Sequence, residues 1–194
     1  MTTSLLIAFD RFPKERELIA RMILAYGEIE FAMLDILGAI FKNQQTAVRT
    51  LYQLRSESHR LNIVEAIATP WFEQQKMGGH FKEGMTAAFH CKNIRNQYAH
   101  CTFVADSEVL RLAQLEETAK TKGESCQVVL RAITRDFLGK QSAYFDYAHH
   151  QILWLDYNYR LKNDQPVRSG EAILKPKRLS PPKLNSRAEA LPPR

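Results

Sequence analysis

The sequence predicts an all-α fold, a bundle of four helices with a small β-hairpin inserted between the third and the fourth. Three observations predict it. Long stretches, most clearly the first and the last, repeat apolar residues at three- and four-residue steps, the period of a helix that buries one face. A single region, just after His100, switches to short apolar and β-branched runs around a polar turn. The 194 residues, 45% of them hydrophobic, suffice for one domain with a real core.

The first helix is expected over about Lys14 to Phe41. Met22, Tyr26, Ile29, Met33, Ile36 and Ile40 form its stripe, with Leu18 and Ile19 leading in. Gly27 weakens it locally. The second is expected over about Gln45 to Ala68, on Val48, Leu51, Tyr52, Leu54, Leu61, Val64 and Ile67. Thr69-Pro70 is expected to stop it, because proline disfavours helical geometry in the residue before it. Its middle, Arg55 to Arg60, is polar. That stretch reads either as a solvated face or as a cleft lining in which Arg55 and His59 meet phosphate. A loop containing Trp71, Gly78 and Gly79 follows, and the third helix is expected over about Phe81 to Tyr98.

After His100 two short strands are expected, Cys101 to Ala105 and Glu108 to Leu112, around Asp106-Ser107. Cys126 to Arg131 is a third candidate. The fourth helix is expected over about Thr134 to Leu161, burying Leu138, Phe145, Ala148, Ile152, Leu155 and Tyr159. These elements place residues 1–162 in one helical domain. Residues 163–194 hold six of the eight prolines and show no apolar period, so they are expected to be a flexible basic tail.

The formal charge is +6, but from Pro166 onward seven cations face only two carboxylates. The excess therefore belongs to the tail, and the body is nearly neutral. Any general electrostatic grip on nucleic acid would come from the tail. No apolar run approaches the roughly 18 residues of a membrane span, and the start does not resemble a secretory leader. Three cysteines, Cys91, Cys101 and Cys126, without a Cys-x-x-Cys pair, point to reduced thiols in the cytoplasm. The doublets His90-Cys91 and His100-Cys101 would stand about 15 Å apart along one helix, too far to share a zinc ion. No metal site, phosphate loop or nucleophile elbow is expected, and no cofactor is implied.

Chemistry concentrates in Lys92-Asn93-Ile94-Arg95-Asn96-Gln97-Tyr98-Ala99-His100 at the end of the third helix. Arginine neutralises phosphate at any biological pH, and histidine moves a proton near neutrality. Asn96 and His100 are four apart and share a helical face, so the amide could orient the imidazole. Arg95 and His100 are five apart. On a regular helix they diverge by about 140° and about 7.5 Å along the axis, so they meet on one phosphate only if the helix has ended by His100; a two-fold dimer, with two copies around one cleft, is the other solution.

Arg95-Asn96-x-x-x-His100 in a helical bundle resembles the motif of the HEPN superfamily. There an arginine, often followed by a polar residue, precedes a histidine by four to six positions. The resemblance implies a HEPN-like bundle, homodimerisation, and metal-independent endoribonuclease activity. It also implies a setting in a toxin–antitoxin or defence system, with an antitoxin or other protein partner. It makes Arg95, His100 and Asn96 catalytic, and the neighbouring Lys92 and Tyr98, with Arg55 and His59 of the polar stretch, are the expected RNA contacts. Some toxins of the superfamily carry a tyrosine two residues after the histidine, and Thr102 stands in that place here. The other reading is a non-catalytic helical module for dimerisation or partner binding, or a HEPN-like domain that binds a nucleotide.

Overall fold

The computed structural model describes residues 7–106, 108–115, 128–167 and 170–184. In order they form α1 (Ile7–Arg11), α2 (Pro13–Phe41), α3 (Gln44–Tyr52), α4 (Glu57–Gln74), α5 (Gly78–Ala99), β1 (Thr102–Ala105), β2 (Leu110–Ala113), β3 (Leu130–Ile133) and α6 (Arg135–Lys162). The fold is mostly helical with one small antiparallel sheet. No described helix is long and apolar enough to cross a membrane. Contacts gather into two compact units. One draws on residues 25–92 and 144–181, the other on residues 1–24, 93–143 and 182–194.

The first of these is helical. The α2 stripe is buried as expected from Tyr26 through Ile40, and so is that of α6 from Phe145 to Tyr159. Phe72 of α4 is fully buried. It stacks on Phe81 of α5 at 4.6 Å and meets Tyr159 of α6 at 5.5 Å. Helices α5 and α6 approach at Gly84, where a Cβ would lie 2.9 Å from Leu155 Cδ1.

The expected second helix is two helices. Asn43 caps α3 by accepting the Thr46 N–H at 3.0 Å. The chain leaves helical pairing over residues 53–56 before α4 begins. Arg60 makes the break tolerable. It donates to the Leu54 carbonyl at 3.0 Å and to both carboxylate oxygens of Glu30 on α2, at 2.9 and 3.4 Å. Val48 and Tyr52, expected in the core, are exposed.

Thr69-Pro70 does not end α4, which continues to Gln74. A proline inside a helix costs about 3 kcal/mol. Burying Phe72 two residues later returns about 1.5–3 kcal/mol, and its two ring partners add about 0.5–1.5 kcal/mol each. Trp71 is therefore helical rather than in a loop, and Gly78 and Gly79 open α5.

The turn between α4 and α5 is residues 75–77. Met77 N–H reaches Phe72 O, and Lys76 N–H reaches Glu73 O, with Lys76 at φ 59°. This is a Schellman closure with a lysine in the left-handed position that glycine prefers. Lys42 and Asp164 close α2 and α6 in the same way. Left-handed strain of about 1–2 kcal/mol exceeds the backbone entropy glycine would add to the unfolded chain, about 0.5–1 kcal/mol. Lys76→Gly should therefore raise the thermal midpoint by a few degrees, whereas Lys76→Ala should not. Circular dichroism melts of the two variants decide the matter, and a lower midpoint for the glycine variant would contradict the strain.

The other unit holds α1, the start of α2, the end of α5, the sheet and the start of α6. The strand order is β1-β2-β3, with Phe103 opposite Leu112 and Leu112 opposite Arg131. Opposed residues share a face. The face carrying Leu110, Leu112, Arg131 and Ile133 is buried, and Phe103 packs on Phe9 of α1 at 4.4 Å. The expected hairpin is thus part of a three-stranded sheet. Its third strand falls later than Cys126–Arg131, and Cys126 lies outside the described residues. Thr134 caps α6 by accepting the Phe137 N–H at 3.2 Å.

Candidate active site

Helix α5 carries the candidate motif into its last turn. Ile94 and Tyr98, four apart, are its buried pair there. They place Arg95 and Asn96 at the half-buried edge and leave His100 exposed beyond the last helical residue. Arg95 Nη1 donates to Asn96 Oδ1 at 2.9 Å. The amide following the arginine therefore orients the guanidinium, whereas the sequence had suggested that Asn96 orients His100. The contact from Asn96 to His100 is made by backbone, His100 N–H to Asn96 O at 3.2 Å. That bond closes the last turn of α5, whose final helical residue is Ala99, so His100 stands where the helix has ended.

Tyr98, expected to touch substrate, is 2% exposed. Its hydroxyl donates to Gln141 Oε1 at 2.5 Å, and the Gln141 amide donates to the Lys183 carbonyl at 3.0 Å. Gln141 is itself fully buried. A phenol so enclosed anchors the helix end and has no face for RNA. Gln141 and Lys183 were not singled out in the sequence. The signal for Gln141 is a polar residue at a core position of the α6 stripe, between Leu138 and Phe145. Cys101 Sγ lies 3.4 Å from the Tyr98 carbonyl, which satisfies an acceptor at the helix terminus.

The remaining candidates belong to the helical unit. Lys92 Nζ donates to Ser58 Oγ at 2.9 Å and lies 5.7 Å from the Phe89 ring centre. Ser58 is in the first turn of α4, next to His59, and Arg55 is in the link just before it. Both Arg55 and His59 are exposed. Lys92, Arg55 and His59 thus belong to one neighbourhood, at a helix N-terminus whose N–H groups favour anions.

Burial raises the Cys91 thiol well above its ordinary range and pushes Cys101 up to about 12. Neither is an activated nucleophile. Among the described residues no three His, Cys, Asp or Glu side chains gather as a metal-binding set.

His149 titrates below its ordinary value, first because it is partly buried and then because His150 is beside it, with Glu28 and Asp146 pulling the other way. The folded protein therefore prefers this ring neutral. Its contribution to stability is complete above the unfolded value of 6.5 and is lost as pH falls from there through the lower folded value. His149→Gln should lose less stability than wild type between about pH 7 and about pH 5. Urea midpoints at the two pH values test this, and parallel losses would contradict it.

No family model, no curated protein and no solved structure matches this chain. The geometry of the site and the resemblance of its motif are therefore the grounds for a functional reading.

Proposed function

We propose that the chain is a metal-independent endoribonuclease of the HEPN type that acts as a homodimer. The observation that carries the reading is the pairing of a guanidinium held by Asn96 with an exposed imidazole at the end of the same helix. Arg95 binds the scissile phosphate and stabilises charge that develops on its oxygens. His100 takes the proton of the ribose 2′-hydroxyl or delivers one to the leaving 5′-oxygen. The 2′-oxygen attacks phosphorus, the P–O5′ bond breaks, and a 2′,3′-cyclic phosphate is left. In this reading a two-fold dimer gathers two copies of the motif around one cleft. Arg55, His59 and Lys92, in the helical unit, are further candidate phosphate contacts. A toxin or defence role, with an antitoxin as partner, follows from the resemblance.

The second reading is a non-catalytic helical interaction module. The burial of Tyr98 and the Lys92–Ser58 bond favour it, because two expected substrate contacts then serve the fold. One experiment separates the readings. Purified protein freed of bound partners is incubated with total RNA in EDTA, beside His100→Ala, and its mass is followed by light scattering. The ribonuclease reading expects a dimer, cleavage by wild type only, and cyclic ends. A monomer that cleaves no RNA leaves the interaction module.

A further inference from the structure

Residues 172–184 form neither helix nor strand, yet their contacts with the helical unit recur at a regular step. Lys175 Nζ lies 3.1 Å from His80 Nδ1 and 5.5 Å from the Trp154 ring centre. Arg178 Nε lies 3.2 Å from Glu83 Oε1, an oxygen that also accepts from the Tyr147 hydroxyl at 2.8 Å. Leu179 and Pro181 then line a cavity of about 280 Å³ with Tyr144, Tyr147 and Thr86.

Positions 175, 178 and 181 are three apart, the period of a polyproline II chain, and Pro176 and Pro181 favour that conformation. The helices match the step. His80, Glu83 and Thr86 follow one face of α5, and Tyr144, Tyr147 and Trp154 follow one face of α6. Cation meets indole, guanidinium meets carboxylate, and proline lines one cavity with the two phenols. Aromatic-lined grooves read extended proline-containing segments in this way.

We propose that the α5–α6 groove is a peptide-binding site for an extended basic segment of pattern Lys-x-x-Arg-x-x-Pro, and that residues 175–181 of the same chain are its resident, displaceable occupant. Displacement follows from exposure. The Arg178 side chain is 82% exposed, and contacts of this kind are individually weak and screened by salt. Tethering keeps the segment docked, because a short link holds it at an effective concentration in the roughly millimolar range. This inference is independent of the ribonuclease reading.

The test uses the full chain and a fluorescent synthetic peptide of residues 171–184, followed by polarisation. Wild type should bind the peptide poorly, since its own segment fills the groove. The Lys175→Ala, Arg178→Ala chain should release that segment and bind the peptide at least about tenfold more tightly than wild type does. Adding Glu83→Lys should remove that binding, and a peptide carrying Arg178→Glu should restore it. Misfolding cannot mimic such a charge swap. Should the Glu83→Lys chain fail to fold by circular dichroism, Glu83→Gln in its place should still weaken binding. Equal binding by wild type, no binding by the doubly substituted chain, binding indifferent to Glu83, or a swap that restores nothing would overturn the proposal.

Discussion

His100→Ala should lower RNA cleavage by about 10²–10⁴-fold, the usual contribution of a positioned general acid or base. The imidazole is exposed and His100 is held through its backbone N–H on the Asn96 carbonyl, so the melting temperature should not change. Arg95→Ala should also abolish cleavage. Arg95→Lys should lose most of it, because an ammonium does not reproduce the planar fork of donors that a phosphate accepts. Arg95→Ala gives up the bond to Asn96 and should lose about 1 kcal/mol of stability, well short of unfolding. Cleavage should persist in EDTA and yield 2′,3′-cyclic ends. Unfolding of the alanine variants would assign these residues to structure. Full activity in a well-folded His100→Ala would end the catalytic reading.

Arg60→Ala should be the most damaging single change to the fold, at about 3 kcal/mol. Glu30 and Arg60 are 11% and 14% exposed at the side chain. Removing the guanidinium strands a buried carboxylate and frees the Leu54 carbonyl at the break between α3 and α4. Burial acts to lower the Arg60 pKa, but the hydrogen bonds and attraction of Glu30 raise it, so the guanidinium stays charged. Glu30→Leu combined with Arg60→Met should recover much of the loss, since a buried ion pair replaced by apolar groups is often near neutral. Urea unfolding of the single and double variants measures both effects. A loss below about 1 kcal/mol in Arg60→Ala would mean that the pair is solvated.

Periodic apolar residues made the long helices legible. The six named positions of the first stripe and the six of the last are all buried. The sheet was legible too, because the short apolar runs at Phe103-Val104 and Leu110 to Leu112 flank a polar stretch, although its third strand starts later than the composition suggested. Illegible features were those set by distant partners. Local rules stop a helix at Thr69-Pro70, yet Phe72 packing carries it onward. The same rules run one helix through residues 53–56, where Arg60 and Glu30 sustain a break. Lys76 makes a turn that glycine rules assign to Gly78 and Gly79. At the site the motif was visible, but the role of Tyr98 depended on Gln141, 43 residues away. In the tail, composition alone predicts flexibility. It does not reveal that cations three apart meet a carboxylate and an indole on two helices.

The Tyr98–Gln141–Lys183 chain of bonds also sets an order in time. Its partners are separated by 43 and then 42 residues. Synthesis proceeds from the N-terminus at about 5–20 residues per second, so the Gln141 amide waits about 2–8 s for the carbonyl that completes it. Helix α5 can form as soon as it emerges, since its own bonds are local. The tyrosine two residues before His100 gains its full support only later. During translation, the end of the motif helix is thus among the last places in the molecule to settle.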